Sequence, residues 1–404
     1  MTRILLLALI LFTSCLPSLV SAQVTAPESR LTSDFDNWRG GFRVKALAAG
    51  ISGAMFDDAF RGVRYTPQTL EVDESQPEFV RPIWNYLDDA VSKNRISDGR
   101  TKSRELRTTL RNIENRYGVD SKILLAIWGM ESNYGAFRGT TYTIEALANA
   151  AITGRRRSFA ETELIAALKI LSRGDATPSI MLGGWSGAMG HTQFMPSTYL
   201  RYAVDHDLNG HRDVWSDDPI DALASTANYL QQLGWKLGQT WGIEVILPNG
   251  FDYALTGEFK THSANFWSAR GVMMTNGRHI PSFGTTAILL PAGAEGPVFA
   301  IFPNFQILRQ YNKSISYVIA VGHLADRIDG RALLKVSWPR GDPPMTRASQ
   351  REIQVLLIER GFDVGVIDGM IGPKTSEAIQ AFQRSIGMLA DGYATVDLIN
   401  LLRP

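Results

Sequence analysis

The sequence predicts an α+β protein that is mainly helical, with a small β insertion and a second, small helical domain at the C-terminal end. Apolar residues recur at helical spacing in most of the chain. Between Trp241 and Phe305, short strand-like runs are instead bounded by glycine and proline. A proline- and glycine-rich linker then precedes the last helices. The predicted leader, main domain, linker and C-terminal domain occupy residues 1–22, 23–336, 337–346 and 347–404.

Hydrophobic periodicity, capping residues and chain breakers set the bounds of the predicted elements. Helices of the main domain are predicted at Phe35–Ile51, Ile83–Asn94, Leu106–Tyr117, Lys122–Ser132, Thr141–Ala151, Phe159–Leu171, Thr198–Val204, Asp221–Leu233 and Ile307–Ile328. Strands of the insertion are predicted at Ile243–Leu247, Thr286–Pro291 and Pro297–Phe302. The C-terminal helices are predicted at Ser349–Glu359, Thr375–Ile386 and Ala394–Leu402. Glu161 and Glu163 are expected on the exposed face of their helix.

Composition and charge are those of a globular protein. The chain has 404 residues, of which 45% are hydrophobic and 20% are charged, and its formal net charge is +1. So small a net charge predicts no general attraction to nucleic acid or to acidic lipid. The single cysteine, Cys15, lies in the predicted leader, and the sequence therefore predicts no disulfide bond and no thiol metal site in the body.

The leader has the pattern of a secretory signal peptide. A short basic start is followed by the apolar run Ile4–Val20, which polar residues and a proline interrupt. A membrane-spanning helix needs about 20 apolar residues, so this run is short for one. Small residues provide a cleavage site before Gln23. The alternative is cleavage before Cys15 with lipid attachment, but Phe12 stands where such sites usually carry leucine. We favour simple export.

The helix predicted at Lys122–Ser132 carries one carboxylate, Glu131, near its end. Asp120 or Ser121 is a suitable N-cap, because its side-chain oxygen accepts from free backbone N–H groups of the first turn. Aromatic and apolar neighbours are expected to desolvate Glu131 partly, which raises the pKa of a carboxyl group toward the range of a general acid. The alternatives are a solvated glutamate at a helix end or a partner of an arginine.

A glycine-rich segment follows at residues 183–197. Its glycines allow a backbone with positive φ and close approach to a ligand. The spacing and the lysine of a phosphate-binding loop are missing. A nucleophile elbow around Ser186 is also excluded, because Ala188 stands where the second glycine would be required. Ser197 is predicted to cap the helix after this segment.

Residues 205–213 have the spacing of a calcium-binding loop. Asp205, Asp207, Asn209 and Asp213 occupy positions 1, 3, 5 and 9, and a glycine occupies position 6. Position 12 is a serine instead of the bidentate glutamate. Asp217, Asp218 or Asp221 could supply the closing carboxylate, and the simpler alternative is an acidic turn without a metal.

Together and in this order, these motifs resemble the lytic murein transglycosylases of the membrane-bound B type. The motifs of the main domain are Trp128–Gly135, Gly187–Gly190 with Gln193–Pro196, the calcium-like loop, Ala227–Tyr229, and Tyr311–Asn312 with Tyr317. The tail is similar to the peptidoglycan-binding module type 1, through Leu356, Gly361, Asp368–Gly369, Ile371–Pro373, Thr375 and Ala381–Gln383.

The resemblance implies a lysozyme-like domain that cleaves the β-1,4 bond between N-acetylmuramic acid and N-acetylglucosamine in peptidoglycan. In this family the muramic C6 hydroxyl, not water, is the acceptor, and the product ends in a 1,6-anhydro sugar. Most glycosidases use two carboxylates, whereas this family uses one glutamate as acid and base. That role falls to Glu131, which has no second acid close to it in the sequence.

The resemblance also implies the remaining site residues and the partners. Residues lining the sugar groove are Tyr86, Gln193, Tyr229, Tyr311, Asn312 and Tyr317. Ligands of a structural calcium ion are Asp205, Asp207, Asn209, His211 through its carbonyl, and Asp221. Catalysis needs no cofactor. We expect a monomer that binds peptidoglycan strands in the periplasm of a Gram-negative bacterium, with cell-wall synthesis proteins as further candidate partners.

The sequence is also compatible with two other functions. A lysozyme-type muramidase would hydrolyse the same bond and release a reducing sugar. A non-catalytic wall-binding or scaffold protein would use only the C-terminal domain, and Glu131 would then have no role in digestion.

Overall fold

Helices form most of the structure, and two small antiparallel sheets accompany them. The computed structural model describes residues 26–66, 81–152 and 156–404. The helices of the main domain are α1 (Ala26–Ala48), α2 (Gly53–Ala59), α3 (Ile83–Ala90), α4 (Lys93–Glu105), α5 (Arg107–Tyr117), α6 (Ser121–Ser132), α7 (Thr143–Ile152), α8 (Arg157–Arg173), α9 (Pro196–Tyr202), α10 (Ile220–Gln232), α11 (Ala264–Ser268), α12 (Pro303–Tyr311) and α13 (Ile315–Ile328). The C-terminal helices are α14 (Arg347–Glu359), α15 (Pro373–Ser385) and α16 (Val396–Leu402).

The strands are β1 (Thr141–Tyr142), β2 (Leu182–Gly183), β3 (Gly242–Ile246), β4 (His262–Ser263), β5 (Met273–Met274), β6 (Thr285–Leu289) and β7 (Val298–Ile301). β1 pairs with β2, and the other five form one sheet in the order β4-β6-β7-β3-β5. This sheet is the predicted insertion, and it encloses a core around the fully buried Trp267. The α+β, mainly helical fold class is therefore confirmed.

Three of the described helices were missed by the sequence analysis, for two reasons. α2 and α11 have only seven and five residues, which is about two turns or fewer and too short for periodicity to be measured. α4 is almost entirely polar, with Gly99 as its buried residue, so it shows no apolar stripe. The helix predicted at Thr141–Ala151 begins instead at Thr143, because the two residues before it form β1.

The helix predicted at Ile307–Ile328 is two helices. α12 ends at Tyr311, and Asn312 is extended, with φ −140° and ψ 130°. The Asn312 Oδ1 accepts from the Ser314 backbone N–H at 2.9 Å. The Ser314 side chain in turn caps α13 by accepting from the Tyr317 N–H. The polar turn between the two apolar runs provides these caps and breaks the helix.

α6 is buried on nearly all sides and is the centre of the main core. Leu124, Leu125, Ala126 and Ile127 have no exposed surface, whereas a surface helix would bury one stripe. α6 packs against α4, α10 and α13. Asp120 is the N-cap residue of α6, as predicted, but its carboxylate makes no capping bond to the helix and accepts from the Trp235 indole N–H instead.

The expected exposure of Glu161 and Glu163 is also wrong. Glu163 is 4% exposed, and its carboxylate accepts from the backbone N–H and the hydroxyl of Ser197 at 2.8 and 2.7 Å. α8 therefore caps α9, whose N-cap residue is Met195 and not Ser197. Glu161 is held by Lys45 and Arg157. A distant carboxylate thus replaces the local cap that the sequence predicted.

Gly129→Ala is expected to destabilise the protein, although alanine normally favours a helix. A methyl group at Gly129 in α6 would lie 2.7 Å from the Tyr134 ring and hydroxyl. Tyr134 cannot easily move, because it is buried and donates to the Arg95 carbonyl at 2.8 Å. Such overpacking costs about 1–3 kcal/mol, which urea unfolding would measure.

The matched control is Gly41→Ala in α1, where nothing lies within 4 Å of the added methyl group. This variant should gain up to about 1 kcal/mol from helix propensity alone. The close approach of Tyr134 to α6 would be refuted if both alanine variants changed the free energy of unfolding in the same direction.

The stability of the fold is expected to depend on pH through His323 in α13. Burial, and then the charge of Arg327, lower the pKa of His323 to about 4, against ~6.5 in an unfolded chain. The unfolded state therefore binds the proton first. The stabilisation is complete above about pH 6.5 and is lost as the pH falls toward 4.

Between pH 7.5 and pH 5, the wild type should lose about 2 kcal/mol of unfolding free energy relative to His323→Gln. Burial raises the pKa of Asp326 to about 6, which makes the unfolding free energy rise as the pH falls. Asp326 is present in both proteins, so its contribution cancels in the comparison. Urea unfolding of the two proteins at both pH values measures this difference in unfolding free energy. If the unfolding free energies of the two proteins changed equally with pH, the role of His323 would be contradicted.

The C-terminal helices form their own core and contact the sheet. α14, α15 and α16 bury Ile353, Leu357, Phe382 and Leu398 among other apolar residues. Gln380 in α15 is 6% exposed. Its Nε2 donates to the Tyr253 carbonyl and to the Thr256 hydroxyl, at 3.1 Å each. The three predicted C-terminal helices are therefore confirmed.

The predicted signal peptide and Cys15 lie outside the described residues. Within the ranges that the structure does describe, none of the helices combines the length and the apolar character needed to cross a membrane.

Candidate active site

Glu131 lies in the last turn of α6, beside a tyrosine from the first turn of α13. The Tyr317 hydroxyl donates to Glu131 Oε1 at 2.5 Å. Burial, and then the charge of Glu131, raise the pKa of Tyr317 well above its usual value, so the hydroxyl stays protonated at neutral pH. Glu131 itself is half-buried, which agrees with the partial desolvation that the sequence predicted.

A row of tyrosines, Tyr202, Tyr229, Tyr311 and Tyr317, extends from Glu131. The rings of Tyr311 and Tyr317 are parallel within 7°, with centroids 6.5 Å apart. Tyr229 lies 5.5 Å from Tyr311 and 4.4 Å from Tyr202. The Tyr311 hydroxyl donates to the Thr192 carbonyl at 2.6 Å. The structure therefore brings three predicted residues together and adds Tyr202, which sequence reasoning missed.

Gln193 lies at the centre of the glycine-rich segment, with a backbone φ of +51°. Its Nε2 donates to the carbonyls of Gly190 and Arg138, at 2.8 and 3.1 Å. An added Cβ at Gly184 would lie 3.1 Å from its Oε1. A strained non-glycine residue that its surroundings fix in this way is a common feature of functional sites. Gln193 thus joins the glycine-rich segment to the chain that follows α6.

His191 is a structural support of the site that sequence reasoning missed. Its Nδ1 accepts from the Trp128 indole N–H at 3.0 Å, so the ring proton is on Nε2, which donates to the Ser216 carbonyl at 2.7 Å. Burial is the main cause that lowers the pKa of His191, which favours this neutral form. The Ser132 hydroxyl donates to the His191 carbonyl at 2.6 Å. The end of α6 is therefore fixed to two loops.

The remaining predicted groove residues are half-buried. Tyr86 is in α3 and packs against the main core. It is close enough to Tyr317 to contribute to that residue's raised pKa. Asn312 follows α12 and uses its side-chain oxygen in the turn before α13. All six predicted groove residues lie within the described ranges.

The acidic loop brings three of its carboxylates together. Asp205, Asp207 and Asp221 each place an oxygen so that all three lie within 4.8 Å of one another. Asp221 is 3% exposed, and of Asp217, Asp218 and Asp221 it is the one that joins Asp205 and Asp207. Asp217 is instead bound by Arg138, and Asp218 accepts from the Ile220 N–H.

Two other loop positions use their side chains within the loop. Asp213 Oδ1 accepts from the N–H groups of Trp215 and Ser216, and Asn209 Oδ1 accepts from the His211 N–H. Clustered carboxylate oxygens are the donors that a hard cation such as Ca²⁺ prefers, so the residues fit the ion that the sequence suggested.

The fold and this site define a class of protein. Residues 34–326 match the family described as the transglycosylase SLT domain, and residues 346–402 match a putative peptidoglycan binding domain. The chain therefore belongs to the transglycosylase SLT family. It is a lytic transglycosylase, an enzyme that acts on peptidoglycan.

Individual relatives agree with this assignment. The chain is 30% identical over 269 residues to the membrane-bound lytic murein transglycosylase B of Escherichia coli K12, covering 66% of this chain and 67% of the relative. The structure of SltB3 from Pseudomonas aeruginosa, in complex with NAG-anhNAM-pentapeptide, has a TM-score of 0.88 and 46% identity, and covers 92% of this chain and 99% of that one. The Escherichia coli lytic transglycosylase SLT35 in complex with calcium has a TM-score of 0.62 and 26% identity, covering 72% and 92%.

Proposed function

We propose that Glu131 alone performs both proton transfers in cleavage of the β-1,4 bond after N-acetylmuramic acid. The hydrogen bond from the Tyr317 hydroxyl to Glu131 Oε1 at 2.5 Å supports this role, because it orients the carboxyl group at the end of α6. The protonated carboxyl group donates to the glycosidic oxygen as the C1–O bond breaks. The C6 hydroxyl oxygen then bonds to C1 and returns its proton to Glu131, so that no water is consumed.

Tyr229, Tyr311, Tyr317 and Gln193 would line the groove for the glycan strand beside Glu131, and the buried Tyr202 would support Tyr229. Aromatic rings pack against the apolar faces of sugars, and their hydroxyl groups supply a polar end. Tyr86 and Asn312 complete the proposed groove. The positions of Tyr311 and Tyr317 beside Glu131 support this assignment, as do the structures of the relative SltB3 in complex with NAG-anhNAM-pentapeptide and NAG-NAM-pentapeptide.

The mass of the soluble products from purified peptidoglycan tests the reaction. A transglycosylase releases fragments ending in 1,6-anhydromuramic acid. Each is one water lighter than the corresponding fragment from a parallel digest of the same peptidoglycan with a muramidase. Products with ordinary reducing ends would instead establish hydrolysis. Release of no product, with binding to peptidoglycan retained, would contradict the catalytic role.

We also propose that the acidic loop binds a structural calcium ion. Asp205, Asp207 and Asp221 would supply carboxylate oxygens, and Asn209 and the His211 carbonyl would complete the donor set. The ion would hold the start of α10, which carries Tyr229, against the loop. A second structural neighbour, SLT35, is a complex with calcium, which supports the same ion here.

Calcium is expected to raise the melting temperature, and a chelator to lower it again. An ion at about 100 times its Kd stabilises the folded state by about 2.7 kcal/mol, or roughly 5 °C for a domain of this size. Asp205→Asn should abolish the response. Asp363→Asn, which changes an exposed carboxylate of the C-terminal domain, should keep it. A calcium response that survives in Asp205→Asn would place the ion elsewhere.

The two ends of the chain would direct the enzyme to its substrate. Residues 346–402 match a peptidoglycan-binding domain, and tethering to an insoluble polymer raises the local enzyme concentration. The leader supports export to the periplasm of a Gram-negative bacterium, with Cys15 as an alternative lipid anchor. Mass measurement of the mature protein would distinguish cleavage before Gln23 from cleavage before Cys15.

A further inference from the structure

Phe137 is an exposed aromatic side chain at the end of the helix that carries Glu131. It is 74% exposed, compared with 65% for Phe259 and 49% for Phe159. Its backbone N–H donates to the carbonyl of Ser132, the last residue of α6, at 2.9 Å. Phe137 is therefore directly beside the residue that follows Glu131.

The backbone on both sides of Phe137 is fixed. Asn133 ends α6 with φ 48°, which asparagine adopts readily, whereas Tyr134 has φ 58°, a value that a bulky residue adopts only where its surroundings hold it. The Tyr134 hydroxyl anchors this turn to the Arg95 carbonyl. On the other side, Arg138 Nη1 donates to the Ser216 carbonyl at 2.7 Å. These contacts fix the backbone that carries the exposed Phe137 ring.

The same turn borders the predicted sugar groove. Gln193 donates from its Nε2 to the Arg138 carbonyl, the residue directly after Phe137. The backbone of Gly139 lies so close to Gly183 that no side chain fits between them. The two residues that follow Phe137 thus contact Gln193 and the glycine-rich segment.

We propose that Phe137 binds a saccharide ring of the glycan strand by stacking, next to the bond that Glu131 cleaves. This inference rests on the proposed function. A single exposed apolar side chain is ordinary on a protein surface. Here the rigid turn, the contact with the end of α6 and the link to Gln193 point to a ligand. The C–H face of a sugar would cover the ring, and burial of a phenylalanine side chain favours association.

The effect of Phe137→Ala on soluble glycan fragments of peptidoglycan tests the inference. KM should rise by about tenfold, which corresponds to burial of one aromatic side chain. Because the ring binds substrate and transition state alike, kcat should change by less than about twofold. Phe137→Tyr keeps the ring face and should restore KM. Phe159→Ala, on α8, is the matched control and should behave as the wild type.

A second measurement separates this inference from the proposed function. In a Glu131→Gln background, the affinity for the same fragments should fall about tenfold with Phe137→Ala and stay unchanged with Phe159→Ala. Equal affinities for the two variants would overturn the stacking role, whatever the wild type releases. A fall in kcat at constant KM would also overturn it. Failure of the wild type to release anhydro products would overturn the proposed reaction, while the affinities would still decide the role of Phe137.

Discussion

Glu131→Gln is expected to reduce the release of anhydromuropeptides from purified peptidoglycan by at least about 10³-fold. Positioned general acid–base catalysis contributes about 10²–10⁴-fold, and here one residue performs both transfers. Glutamine keeps the size of the side chain, and its carbonyl oxygen can still accept from the Tyr317 hydroxyl. The substitution therefore removes the transferable proton with little change in packing.

Two measurements make this result specific. Thermal unfolding of Glu131→Gln should match that of the wild type, and its affinity for glycan fragments should be retained. Glu105→Gln changes an exposed carboxylate that pairs with Lys102 in α4, and it should release products at the wild-type rate. Substantial activity of Glu131→Gln would transfer the acid role to another residue and refute the proposal.

Glu258→Ala is expected to destabilise the main domain more than any surface substitution. The Glu258 side chain is 2% exposed and forms a bidentate ion pair with Arg309, at 2.6 and 3.2 Å. Removal of one partner from a buried pair costs about 3–5 kcal/mol, because the other charge stays buried without compensation. A lower melting temperature, by roughly 5 °C or more, would show this in a thermal scan.

This pair also links the insertion to the active site. Arg309 is in α12, the helix that ends at Tyr311, and Glu258 follows Thr256, which contacts the C-terminal domain. Glu258→Ala should therefore lower activity together with stability. The double variant Glu258→Gln with Arg309→Met should recover much of the stability, since no unpaired charge remains.

The control for the ion pair is on the protein surface. Glu352 pairs with Arg403, and both side chains are substantially exposed. Pairs of this kind contribute about 0–1 kcal/mol, so Glu352→Ala should change the melting temperature only slightly. If Glu258→Ala and Glu352→Ala lowered the melting temperature equally, the buried Glu258–Arg309 pair would contribute no more to stability than the surface pair.

Local patterns in the sequence determined the elements and the central candidate. α6, the three main strands of the insertion and the C-terminal helices were predicted from periodicity and chain breakers, because these signals depend on neighbouring residues. Glu131 was found for the same reason, as a single acid at the end of an apolar helix. Local caps were less predictable, since Glu163 reaches α9 from a different helix and replaces the cap expected from Ser197.

Only the tertiary structure decided what surrounds Glu131. Tyr317 donates to it from 186 residues away in the chain, and His191 connects Trp128 to Ser216 across separate loops. α4 was missed because it is polar, yet it supplies the Arg95 carbonyl that holds Tyr134. These contacts depend on distances between segments that are remote in the chain. Periodicity measures only residues that are close in the chain, and it therefore predicted most of the helices but not the geometry of the site.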